Sequence, residues 1–350
     1  MCLTKLHKKN IMRPINYLIL LVLPAMVIAG YYLGGWFNFL VPACCFFAYP
    51  VANLFLSSSE EHAHKNYTVS SYRTIALIFV PVLIGITAWC IYTVSVNKLN
   101  AVEFTGFILS LGVVNGVLGF TLAHEFIHRF TKTEKLAGYI LLLQNNYMHY
   151  GIEHVSGHHI YACTPQDPHT ARIGESIYSF LPRAILHTYT NAIAIERKRL
   201  LREHYKISFI HNRIIWFGFI QIILMLMIFF TLNLSALIFF VLQNVVAITL
   251  LHIINYLQHY GLMRKANEAG NYEKLDAHHA WNTGKKNAPL NLFQLENHAD
   301  HHMHPDKRFE KLKHTDESPQ HPAGYSCMVL LSLIPPLWFR IMNKKISSNF

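Results

Sequence analysis

Six stretches of this 350-residue chain, near 15–34, 36–57, 73–95, 103–123, 213–232 and 234–255, stay apolar for the ~20 residues that an α-helix needs to cross the hydrocarbon of a bilayer. A chain that carries six such runs has few places to put them except in a membrane. Its charged residues make up 14% of the total, against about 25% in a soluble domain. The first run has no clear small-residue cleavage site and a second follows almost at once. It therefore reads as a span and not as a cleaved signal peptide.

The formal net charge of +11 is unevenly placed, and the unevenness sets an orientation. Lys5, Lys8, Lys9 and Arg13 precede the first span, while the turns at Gly34-Gly35 and around Leu232–Ser235 carry no charge. Lys98 is the only base between the third and fourth spans. Nearly all other Lys and Arg follow spans two, four and six, so the positive-inside rule puts both termini in the cytoplasm. The basic balance thus tracks membrane topology and anionic lipid headgroups, and calls for no nucleic acid. The expected architecture is all-α: one membrane-embedded domain over 1–350, with six transmembrane helices. Segments 124–212 and 256–350 then form a cytoplasmic histidine-rich cap.

Within that cap the 23 histidines of the chain are not evenly spread. HEFIH places His124 and His128 at i, i+4 just beyond the fourth span. EHVSGHH brings His154, His158 and His159 within six residues; on an α-helix His154 and His158 share a face, with His159 beside them. His259 follows the sixth span in NYLQHYG, and His298, His301 and His302 cluster in ENHADHH. Spans four and six both end on the cytoplasmic side, so all four groups can converge at one membrane face.

Imidazole is the commonest protein metal ligand, and nine are too many for one ion but suit two at four or five each. Imidazole alone does not choose between zinc, copper, iron and nickel. Cys2, Cys44, Cys45, Cys90, Cys163 and Cys327 lie outside the histidine groups and form no CxxC pair, which argues against iron–sulfur and structural zinc sites. Glu125, Glu153 and Asp300 adjoin the imidazoles and are candidates to accept the second ring N–H of a ligand. No residue stands out as catalytic apart from the metal site. His252, seven residues before His259 and inside a span, is a candidate to orient a ligand or line a cavity. His149, His169, His187, His204, His211, His278, His279, His304, His314 and His321 read as polar surface or supporting groups.

HEFIH, EHVSGHH, NYLQHYGL and HADHHMHP, in that order, resemble the four motifs of the membrane alkane 1-monooxygenases. The likeness extends through TPQDP, RIGESIYSFLPR, ERKRL, HAWNT and GYSCMVLLSLIPPLWFR, and covers roughly 120–345. The wider group includes xylene-type methyl hydroxylases and, more distantly, membrane acyl desaturases. The resemblance implies a non-haem di-iron site of two iron ions, held by His124, His128, His154, His158, His159, His259, His298, His301 and His302. It implies terminal hydroxylation of alkanes to 1-alkanols with O2, in the inner (cytoplasmic) membrane of a bacterium. The two electrons would come from rubredoxin, itself reduced by a flavoprotein reductase. Alkylaromatic methyl groups and fatty acyl chains are the alternative substrates of the same chemistry.

Arg197, Lys198, Arg199, Arg202, Arg264 and Lys265 form a basic surface that suits an acidic electron donor. A membrane-dissolved hydrocarbon would enter between helices and be held by burial, and Phe46 and Phe47 in the second span are candidates to limit its length. Family members commonly carry Glu where Gln258 stands and a basic residue where Asn297 stands, which bears on substrate more than on reaction type. Two other readings predict different ligand patterns. A zinc peptidase built on HExxH needs one metal and about three ligands. A metal transporter would spread its ligands along several spans.

Overall fold

The computed structural model of the protein describes residues 13–51, 68–205, 209–283 and 292–349. Among these residues five helices are long and apolar enough to cross a membrane: α1 (Pro14–Leu33), α3 (Val69–Val96), α4 (Ala101–Ile127), α8 (Arg213–Thr231) and α9 (Leu234–His259). The expected second span begins as the apolar helix α2 (Gly35–Val51); the remainder of that span, 52–57, lies outside the described residues. α8 is apolar on every side and buries only Ile214 and Ile228, the pattern of a helix that faces lipid.

α4 is the central helix, buried along most of its length. It starts at a capping box in which Asn100 accepts from the Val102 and Glu103 amides and Glu103 reaches back to the Asn100 amide. Gly112 and Gly116 let α9 come close; a Cβ on Gly112 would stand 2.5 Å from Val246. One π-helical turn, Asn115–Gly119, interrupts α4. There the Asn115 amide donates to Thr87 on α3 (3.2 Å) and to Gln243 on α9 (2.9 Å), and its carbonyl accepts from Gln144 (2.9 Å).

α5 (Lys132–Gln144) holds the LAGYILLL run and is too short to cross; it packs on the end of α4 through Gly138, with Ile127 and Phe126 as neighbours. Residues 150–161 form α6, and Ile177–Arg202 form α7. The SIYSFLPRAIL and ERKRL segments are thus one helix, with Ile177, Phe180, Ala184, Thr188, Ala192, Glu196 and Leu200 as its buried stripe. Arg213 and Arg199 both bind Glu196, which ties α7 to the start of α8.

Beyond α9 the chain has little regular structure. Two two-residue strands, β1 (Asn282–Thr283) and β2 (Gln320–His321), pair in parallel. Trp281 anchors this region, donating its backbone N–H to the Gln258 carbonyl and its indole N–H to the Tyr260 carbonyl, both at 2.9 Å. A short α10 (His298–Met303) follows, and Asn282 accepts from the Ala299 amide in its first turn. The C-terminal helices α11 (Tyr325–Ser332) and α12 (Pro335–Asn349) break where the Pro335-Pro336 pair requires. Trp338 of α12 packs on Tyr256 and Tyr260, so α12 lies against the C-terminal end of α9.

Candidate metal centre

The nine imidazoles converge. His124, His128, His154, His159 and His301 form one group, and His158, His259, His298 and His302 a second; within each, one ring nitrogen per residue lies within 4.8 Å of all the others. The rings of His159 and His302, one from each group, stack at 4.6 Å. Five and four is the division that nine ligands on two ions call for.

Local backbone geometry makes the division. His124 and His128 lie one turn apart where α4 ends, and His298 and His302 one turn apart on α10. The middle motif departs from the expected α-helix. His154–His158 is a π-helical turn, and the His159 amide bonds to the His154 carbonyl five residues back. That widening brings His154 and His159 into one group and turns His158 into the other, where a regular helix would have aligned His154 with His158. Gly157 permits the turn to sit against α7, since a Cβ there would meet Ile195 at 3.0 Å and the Glu153 carboxylate at 2.8 Å.

Hydrogen bonds at the outer nitrogens fix several rings. His158 Nδ1 lies 3.0 Å from both Asp167 oxygens, so that nitrogen carries the proton and Nε2 presents a lone pair. His259 Nδ1 is 3.3 Å from the His279 carbonyl, with the same consequence. His154 Nδ1 meets the Tyr150 hydroxyl at 3.1 Å. The inner nitrogens then crowd one another. Nε2 of His259, His298 and His302 are 2.9–3.1 Å apart, and His158 Nε2 is 3.2 Å from that of His302. In the other group His159 Nε2 is 3.0 Å from His154 Nε2 and 3.2 Å from His301 Nε2, while His128 Nε2 is buried without a partner. Several lone pairs directed at one point repel unless a cation lies between them. The donor set is all imidazole nitrogen and fits borderline transition-metal ions such as iron.

Charge state fits as well. Burial, followed by repulsion from neighbouring imidazoles, holds His128, His154, His159, His298, His301 and His302 well below the usual imidazole range. They are neutral at physiological pH, the state in which an imidazole can bind a metal ion.

The carboxylates beside the histidines do other work than expected. Glu125 pairs with Arg129, whose guanidinium also donates to the Asp306 and Lys307 carbonyls. Glu153 accepts from His169 Nε2 at 2.7 Å, and Asp300 holds Lys307 and the Lys313 amide. None of the three reaches one of the nine imidazoles, because side chains adjacent in a helix diverge by about 100°. Asp167, nine residues downstream in the TPQDP segment, takes that role at His158.

Of the two roles expected for His169, polar surface or supporting group, the second fits, since it is fully buried between Glu153 and Asn255. His252 bonds none of the nine imidazoles; it bonds the Tyr147 hydroxyl at 2.8 Å and stacks on His169. Cys163 approaches His259 Nδ1 at 3.6 Å while its thiol donates to the His279 carbonyl.

An apolar cavity of about 190 Å³ opens between α1, α2, α4 and α9 and ends at His124, His154 and His298. Leu20, Leu23, Phe46, Val117 and Leu251 are among its walls. Phe46 thus faces the cavity, whereas Phe47 is exposed on the outside of α2.

The model of the fatty acid desaturase family matches residues 101–327. Alkane 1-monooxygenase 2 of Pseudomonas aeruginosa is 39% identical over 280 residues, spanning 80% of this chain and 74% of the relative. Alkane 1-monooxygenase of Acinetobacter baylyi is 34% identical over 279 residues, 80% of this chain and 68% of its own. The xylene/toluene monooxygenase hydroxylase component XylM of Pseudomonas putida is 28% identical over 337 residues, 95% of this chain and 89% of its own. Nine converging histidines within a membrane helix bundle and these similarities over most of the chain place the protein in the alkane 1-monooxygenase family, a histidine-rich branch of the fatty acid desaturase family.

Proposed function

We propose that the protein hydroxylates the terminal carbon of an alkane to a 1-alkanol with O2. The reading rests on two groups of clustered imidazoles at the closed end of an apolar cavity that three of them line. His124, His128, His154, His159 and His301 would hold one iron ion, and His158, His259, His298 and His302 the other. Bound there, the two ions supply the activation of dioxygen.

The residues of the chain do the rest. The cavity walls bind a hydrocarbon through contact alone, at about 25 cal/mol per Å² of apolar surface removed from water, and direct its end at His124, His154 and His298. Asp167, the His279 carbonyl and Tyr150 keep His158, His259 and His154 in the tautomers that face inward. Packing around them excludes bulk water.

In this reading the site opens to the cytoplasm of a bacterial inner-membrane protein, and rubredoxin delivers the electrons. Arg197, Lys198, Arg202 and Lys265 are exposed and suit an acidic donor. Arg199 belongs less to that surface, being held by Glu196 and Glu203. Arg264 is tied to the Ile160 carbonyl, beside the segment that carries His158 and His159.

The test is metal content of the detergent-purified protein together with a rubredoxin-coupled octane assay. Two irons per chain and formation of 1-octanol are expected. Two irons with benzylic alcohol from xylene but none from octane would favour the second reading, which the coverage of XylM supports. One zinc and no iron would overturn both.

A further inference from the structure

The cavity is apolar along most of its wall and polar at one end. Gln258 from α9, Thr283 from β1, Glu296 from the loop before α10 and Tyr325 from α11 meet there beside His298. Gln258 donates to the Tyr325 hydroxyl at 3.1 Å, and that hydroxyl donates to the Leu295 carbonyl at 3.3 Å. The Thr283 amide donates to the Glu296 carbonyl at 3.3 Å, which sets those two residues side by side.

Two side-chain oxygens among these groups are buried with no hydrogen-bond partner, Thr283 Oγ1 and Glu296 Oε2, and Glu296 is 7% exposed. A buried carboxyl oxygen without a partner is costly, and hydrocarbon gives it nothing. A ligand with an alkyl chain and one hydroxyl satisfies both parts of the cavity. Its chain lies along Leu20, Leu23 and Leu251, and its hydroxyl, with one donor and two acceptor sites, meets Glu296 in either protonation state.

We propose that Glu296 forms, with Thr283 and Tyr325, a subsite for the hydroxyl group of a medium-chain primary alcohol. The proposal rests on the hydrocarbon-binding reading of the cavity given above, and the alcohol is the product class of that reaction. Glu296 then holds the product next to His298 after hydroxylation, so a 1-alkanol competes with its parent alkane for the cavity.

The experiment is displacement of tritiated octane from the iron-loaded, detergent-solubilised protein, with no reductant present so that nothing turns over. Unlabelled 1-octanol is compared with 1-chlorooctane, which has similar size and no hydrogen to donate. In the native protein 1-octanol should displace octane at about one tenth of the concentration that 1-chlorooctane needs. That preference should vanish in Glu296→Leu and persist in Glu296→Gln, whose amide still bonds a hydroxyl.

Equal displacement by the two ligands in the native protein would mean that water alone satisfies Glu296, and would overturn the proposal whether or not the variants fold. A preference that survives in Glu296→Leu would overturn it too. Failure of the native protein to bind octane at all would instead remove the hydrocarbon reading beneath it.

Discussion

Asp167 is the residue on which the second imidazole group most depends outside the imidazoles themselves. Both its oxygens face His158 Nδ1, and it also takes the Thr170 hydroxyl at 2.6 Å and the His169 amide at 3.1 Å. Despite full burial, its pairing with the His158 imidazole holds its carboxyl well below the usual range. Asp167→Asn should leave the chain folded but weaken iron binding at the His158 group by roughly 10–100-fold. Iron retained against a chelator series checks this, with native and variant protein side by side. The same contrast explains why adjacency misled at Glu125, Glu153 and Asp300. Residue type and proximity along the chain are visible in a sequence, whereas the direction of a side chain from a helix is not.

At the scale of elements, irregular helix turns matter more than regular ones. The π-helical turn at His154–His158 assigns three neighbouring histidines to two imidazole groups. Inserting an alanine after Ser156, an exposed residue inside that turn, should add a sixth step between His154 and His159 and rotate His154 away from His159. Iron content is expected to fall from two to about one per chain, with loss of the coupled-iron Mössbauer signature. The turn at Asn115–Gly119 has a structural counterpart, because Asn115 links α4 to α3, α5 and α9 through three side-chain bonds. Asn115→Leu should lower stability by about 1–2 kcal/mol, since Gln144, Gln243 and Thr87 all lose a partner. Thermal unfolding in detergent, followed by circular dichroism, reads that loss.

For the molecule as a whole, the two imidazole groups close one end of the bundle. They draw on the end of α4, on α6, on the end of α9 and on α10. Ions that bind only the folded state stabilise it by mass action. Stripping them leaves nine crowded imidazoles whose lone pairs face each other. Chelation should therefore lower the melting temperature by ~5 °C or more, and iron should restore it. An unchanged melting temperature would mean that packing alone holds the cap together.

The sequence by itself determined the membrane class, the long apolar helices and the four histidine motifs, because hydropathy and metal-ligand chemistry are written in residue type. The break between α11 and α12 at Pro335-Pro336 has a local cause of the same kind, a missing N–H and a fixed φ. Tertiary structure alone decided the five-and-four division, Asp167 as the partner of His158, the burial of His169 and the unpartnered Glu296 in the cavity wall. Each depends on where side chains from distant segments point once helices have packed. A π-turn of one extra residue, invisible to any periodicity, changes that direction.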